Sequence, residues 1–178
     1  MTKGKGRTGT VDECPHTFEK LALNVLPAYM TQLRKALKAP HKSSEFSGGG
    51  IGAKSIAKRL GRTADFSGCY VLVDKGQPLY VGISRRVLSR IRQHVTGRSH
   101  FDASLTFAVA KRRLPIDGSR SQAMENKEFR KAFDKAQDYL RSLDVTFIEI
   151  TNSLELYLFE AFAPIELRTG EWNTFRTH

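Results

Sequence analysis

Residues 68–82, GCYVLVDKGQPLYVG, constrain this chain most, because they carry the pattern of a β-hairpin and so commit the chain to a sheet. Residues 69–73 and 79–83 are runs of β-branched, aromatic and aliphatic side chains, with Asp74, Lys75 and Gly76 as turn chemistry between them. A three-residue loop has two residues in a type I turn and a third in the left-handed region, where glycine meets no Cβ clash. With Gly76 in that third place, Val73 lies opposite Gln77 and Tyr70 opposite Tyr80. Opposed residues share a face, so the hairpin sets two phenols side by side. Pro78 has no N–H to give to a ladder, which makes the second strand an edge.

The rest of the chain reads as helices around a small sheet. Residues 1 to about 11 are expected to be disordered. A helix is expected over 17–38, with Phe18, Leu21, Val25 and Tyr29 at helical spacing and a kink at Pro27. APHKSSEFSGGG has the composition of a linker, and AKSIAKRLG that of a short basic helix ended by Gly61. Beyond the hairpin, 86–95 and about 123–143 are helical, 105–111 is apolar but of undecided type, and VTFIEI at 145–150 is a third strand. A last helix opens near Ser153 and runs to Pro164. The expected fold class is α+β: a small, mainly antiparallel three-stranded sheet flanked by helices. The expected organisation is a helical N-terminal extension over 1–65 and a sheet-bearing domain over 66–178.

Charge narrows the partner. The net charge is +11, which favours a polyanion. No acid lies between Asp74 and Asp102, whereas Lys75, Arg85, Arg86, Arg90, Arg92 and Arg98 all do. A charge run is ordinarily solvated surface; this one directly follows the paired tyrosines, which points to nucleic acid. No stretch of about 18 apolar residues is present, so no membrane-crossing helix is expected. MTKGKGRTGT has basic residues without an apolar core behind them, unlike a secretory signal. Cys14 and Cys69 have neither zinc spacing nor the count of a disulfide framework, and an intracellular, cytoplasmic setting is expected.

Two further features carry chemistry. Arg90 and His94 are four residues apart and share a helix face. Glu160 is flanked by Phe159, Ala161 and Phe162, and a carboxylate in apolar surroundings needs a partner. That partner is either one of the many arginines or a hard metal ion, for which one carboxylate with phosphate and water is typical of magnesium.

Taken together, these residues resemble the GIY-YIG nucleases. Gly68-Cys69-Tyr70 stands where the family has its GIY triplet and Tyr80-Val81-Gly82 where it has YIG. Arg90, eight residues after Gly82, occupies the place of the family's essential arginine, and His94 that of a histidine often found four residues on. Glu160 stands where the family carries its metal-binding glutamate, and Asn173, in EWNTF, matches a closing asparagine. The resemblance covers roughly residues 66–175. Cys69 replaces the usual aliphatic residue, Ile83 stands where the family's repair nucleases have a lysine, and 113–143 is longer than the minimal domain.

The resemblance implies a metal-dependent DNA endonuclease with one Mg2+ or Mn2+ ion on Glu160. Tyr70 would be the general base and Tyr80 the residue orienting it or the water, with the two roles exchangeable. Arg90 would stabilise the transition state, and His94 would contact phosphate or relay a proton. Arg85, Arg86, Arg92, Arg98, His100 and Asn173 would contact DNA, double-stranded or branched, and whether a homodimer cuts both strands stays open. Glu155, on the same helix as Glu160, is expected to tolerate replacement by glutamine. Two alternatives stand beside this reading. One is a nucleic-acid-binding module with the fold and no turnover. The other is a purely structural role, with core tyrosines and a salt-bridged Glu160.

Overall fold

The structure, a computed structural model, describes residues 10–175. The disorder expected at the N-terminus falls mainly on 1–9, outside the described residues, whereas Val11–Glu13 form a 3-10 turn. The fold is α+β, with a four-stranded antiparallel sheet in the order β1-β4-β2-β3 and helices on both faces. The strands are β1 (His41–Lys42), β2 (Gly68–Asp74), β3 (Gln77–Ser84) and β4 (Asp144–Glu149). The helices are α1 (Phe18–Lys20), α2 (Leu26–Ala36), α3 (Ala53–Arg59), α4 (Val87–Thr96), α5 (Ser104–Arg113), α6 (Arg120–Glu125), α7 (Lys127–Ser142) and α8 (Ser153–Leu167).

β2 is central and buried on both faces, which is why its sequence is nearly continuous in apolar residues instead of alternating. Tyr70 and Leu72 point into one core with Leu88 and Ile91 of α4 and Phe129, Phe133 and Leu140 of α7. Cys69, Val71 and Val73 point into a second core with Met30 and Leu33 of α2 and Phe159 and Ala163 of α8. Gly68 is needed where β2 meets β4, since a Cβ there would overlap the Ile148 carbonyl oxygen.

The hairpin forms as expected, but its register differs. Lys75 and Gly76 both have positive φ, 48° and 79°, so the loop is a two-residue turn closed by Asp74 opposite Gln77. The primed turn matches the right-handed twist of the flanking strands. An irregularity between Leu72 and Val73 then leaves Tyr70 opposite Gly82 and Leu72 opposite Tyr80. The tyrosines are diagonal neighbours, two residues from the expected pairing. Because side chains alternate with period two, a two-residue slip keeps both phenols on one face. β3 is an edge, as Pro78 required.

The fourth strand corrects the three-strand expectation. His41 and Lys42, inside the stretch read as a linker, pair with Val145 and Asp144 of β4. His41 stacks on Phe147 with ring centroids 5.2 Å apart, and Lys42 Nζ lies 2.6 Å from Asp144 Oδ1. The helix expected with a kink at Pro27 instead contains a π-helical stretch, Leu21–Val25, with Pro27 in the first turn of α2, where a missing N–H matters little. The single helix expected over 123–143 is two, broken at Asn126, whose side chain caps α7 by accepting from the N–H groups of Glu128 and Phe129. α5 resolves the undecided 105–111 segment as helix, and α8 continues past Pro164 to Leu167. No helix among the described residues is long and apolar enough to cross a membrane.

Residues 12–65 are built into the same cores as the remainder. Leu26, Met30 and Leu33 enter one, Phe46 and Ile56 the other. Burying a side chain of this size contributes about 1.5–3 kcal/mol, so five approach the roughly 5–15 kcal/mol net stability of a whole domain. A chain beginning at Ala64 should therefore fail to unfold cooperatively in a thermal circular-dichroism scan, whereas the full chain should show one transition. A sharp, native-like transition in the truncated chain would contradict this packing.

Candidate active site

Four of the expected residues converge where β2 and β3 meet α4. The rings of Tyr70 and Tyr80 have centroids 6.2 Å apart, and the His94 ring lies 5.7 Å from the first and 6.3 Å from the second. The Tyr70 hydroxyl and His94 Nε2 form a 2.7 Å hydrogen bond. Both residues are only 1 % exposed. The Tyr70 ring lies across Gly82, where any Cβ would overlap its Cζ and hydroxyl oxygen. The two glycines of the triplets thus have separate steric reasons: Gly68 admits β4, and Gly82 admits the tyrosine.

Gly82→Ala should consequently push Tyr70 off His94 and destabilise the fold by about 1–3 kcal/mol, the usual range for an overpacked core. Urea denaturation followed by tyrosine and tryptophan fluorescence measures it, and an unchanged midpoint would show that the ring does not need that space.

α4 is positioned from outside its own sequence. Asp65 Oδ1 accepts the Leu88 N–H at 2.8 Å, and its Oδ2 accepts both the Ser89 N–H and the Ser89 hydroxyl. This carboxylate satisfies orphan donors and faces the positive end of the helix. Arg90, the next residue, is held by three acceptors: Gln93 Oε1 at 3.2 Å, the Asp102 carbonyl at 2.9 Å and Ser104 Oγ at 2.7 Å. A guanidinium has five N–H donors, so part of the fork remains available while its direction is set.

The charges follow from burial. Burial raises the Tyr70 pKa well above that of a free phenol, Tyr80 adds to the rise, and the Arg90 charge opposes it. Tyr80 is also raised by burial; Arg90 again opposes, and Glu160 adds to the rise. Burial, helped by Arg90, pushes His94 down to about 3. At neutral pH the pocket therefore holds two protonated phenols, a neutral imidazole and one cation.

Glu160 approaches from α8, which packs on the opposite face of the sheet near the β3 edge. Its carboxyl is half-buried and held above the usual carboxylate range by that burial. Among the described residues no cation comes within ion-pairing distance of it, so the salt bridge offered as its alternative partner is not formed. No cluster of three or more His, Cys, Asp or Glu residues suited to a metal occurs among the described residues. A lone, part-desolvated carboxylate without a protein cation is compatible with a magnesium-like ion whose other ligands are water and phosphate.

Glu155 is not the inert neighbour expected. It is buried, accepts a 2.6 Å hydrogen bond from the Tyr29 hydroxyl, and lies 3.7 Å from His16 Nε2 and 3.8 Å from Cys14 Sγ. These contacts fasten the N-terminal segment to the start of α8.

The expected DNA contacts divide. Arg85, Arg86 and Arg98 are exposed. Arg92 is half-buried and donates to the Phe46 carbonyl, tying α4 to the N-terminal segment. His100 is buried against Phe101 and Phe107 and faces a core instead of solvent. Both ends of the Asn173 amide are engaged by Val81: Oδ1 accepts its N–H at 2.9 Å, and Nδ2 donates to its carbonyl at 2.7 Å. His94 is enclosed, and its Nε2 is engaged by the Tyr70 hydroxyl. Asp65, Asp102 and Ser104, which place α4 and Arg90, went unread because their partners lie far away in sequence or on another element. The chain matches no family model, no curated protein and no solved structure.

Proposed function

We propose that this chain is a metal-dependent DNA endonuclease of the GIY-YIG kind, hydrolysing phosphodiester bonds. The observation that carries the reading is the convergence of Tyr70, Tyr80, Arg90 and His94 on one face of a hairpin, with an unpaired Glu160 on the helix packed against the same β3 edge from the other side. A divalent ion on Glu160, magnesium or manganese, would supply Lewis-acid charge to the phosphate when bound. Arg90, pre-aimed by Gln93, Asp102 and Ser104, holds nonbridging oxygens as negative charge develops on them.

The exposures favour the exchanged assignment of the two phenols. Tyr80 is the less enclosed and meets the attacking water, while Tyr70 stands behind it. Across the 2.7 Å bond, neutral His94 accepts the Tyr70 O–H at Nε2, which fixes the direction of the phenol. The exposed Arg85, Arg86 and Arg98 neutralise backbone phosphates.

The test is conversion of supercoiled plasmid to nicked or linear product by the full chain in magnesium or manganese, with excess chelator as control. The expected result is metal-dependent nicking that leaves sequenceable ends. DNA binding without nicking of supercoiled, branched or single-stranded DNA in either metal would favour the binding module without turnover. No DNA binding at all would remove both readings.

A further inference from the structure

We infer that the groove between the end of β3 and the first half of α8 is a nucleobase subsite, in which Tyr157 stacks on an unpaired base next to the phosphate to be cut. The inference rests on the endonuclease reading and adds a substrate feature to it. The groove has a volume of about 230 Å³ and is lined by Ile83, Ser84, Arg85, Ser153, Leu156, Tyr157 and Glu160. Tyr157 and Glu160 are three residues apart on one helix, so both side chains line the same wall.

Tyr157 is 58 % exposed, and its hydroxyl makes no hydrogen bond among the described residues. An exposed aromatic is ordinary in itself. Here it stands beside the carboxylate assigned to the reaction, over an apolar floor of Ile83 and Leu156. A nucleobase needs that combination: a ring to stack on, an apolar bed, and polar groups at its edges. The Ser84 hydroxyl accepts the Arg86 N–H, which leaves its own O–H to donate, and Ser153 lines the same groove. Arg85 supplies positive charge for the attached phosphate. A base inside a duplex has both faces covered, so only an unpaired or extruded nucleotide can enter.

The test uses the full chain carrying Glu160→Gln, so that binding is read without cleavage. The probes are two DNAs of one sequence, each with 2-aminopurine at the same position, unpaired in a bulge or paired in a matched duplex. Tyr157→Ala should weaken binding to the bulged DNA roughly ten- to hundredfold, as loss of a base-stacking aromatic does. It should also abolish quenching of the 2-aminopurine and leave matched-duplex affinity nearly unchanged, while Tyr157→Phe keeps both properties. Equal effects on the two DNAs, or none, would overturn the subsite while metal-dependent nicking by the wild type kept the endonuclease reading. A change in solution mass by light scattering in Tyr157→Ala, with DNA binding intact, would make this face a protein interface and overturn the subsite. Failure of the wild type to bind either DNA would remove the subsite together with the endonuclease.

Discussion

Glu160→Gln should abolish metal-dependent cleavage, by at least the hundred- to thousandfold typical of losing one transition-state stabiliser, and leave the fold at least as stable as before. The second half of that expectation follows from the raised carboxyl pKa. Burial disfavours the ionised form in the folded chain, and the unfolded chain has no such penalty. The carboxylate is therefore a destabilising element above its folded pKa, and the penalty is relieved as pH falls through that value. Glutamine removes it at neutral pH, so the melting temperature should hold or rise. Metal-free DNA affinity should also hold or rise, since a negative charge leaves the neighbourhood of the phosphates. The same shift makes protons compete with the ion for this carboxyl, so the metal concentration needed for cleavage should rise as pH falls. Glu155→Gln makes the contrasting partner. Its carboxylate is hydrogen-bonded and buried, so this variant should lose about 1–3 kcal/mol of stability. Glu160→Gln with full activity, or with a lowered melting temperature and normal cleavage per folded molecule, would remove Glu160 from the reaction.

Arg90→Lys should lower the single-turnover cleavage rate by about a hundredfold or more with only a modest change in DNA affinity. Lysine keeps the charge but replaces a planar fork with a point donor on a flexible stem. It would also abandon most of the three-acceptor cradle that aims the guanidinium. The better comparison is Arg86→Lys, because Arg86 is exposed and makes only a 4.0 Å approach to Asp65, whereas Arg92 is engaged by the Phe46 carbonyl. Arg86→Lys should leave the rate alone. Rapid-mixing single-turnover cleavage with saturating enzyme, beside equilibrium binding in metal-free buffer, separates the two quantities. Equal rate losses in the two variants, or a binding loss in Arg90→Lys at unchanged rate, would take Arg90 out of the transition state.

What could be read in advance depended on the range of the interactions involved. The hairpin, α4 and the shared face of Arg90 and His94 follow from periods of two and 3.6, which are local. The mistaken hairpin loop displaced the register by one residue and the irregularity between Leu72 and Val73 by one more, so the net error was even and left both tyrosines on one face. β1 escaped notice because two residues show no alternation, and His41 and Lys42 become a strand only through Phe147 and Asp144, some hundred residues on. The roles expected of His100 and Asn173 went astray for a related reason. A polar side chain in sequence carries no mark of whether solvent or another segment will face it. Tyr70 had the same ambiguity, and it resolved into both: a member of the core and a wall of the candidate site.

The bond pair between Asn173 and Val81 has a mechanical meaning. One carboxamide imitates a single residue of an additional strand, satisfying donor and acceptor on the open side of β3. It does so one position from Tyr80 and one from Gly82, on the margin where another extended chain would otherwise dock and zip along the sheet. Because Thr169 also donates to the same Oδ1, the segment leaving α8 is laced to β3. The helix bearing Glu160 and the strand bearing Tyr80 thus behave as one rigid frame. Whatever docks along this margin then meets an edge already occupied at Val81.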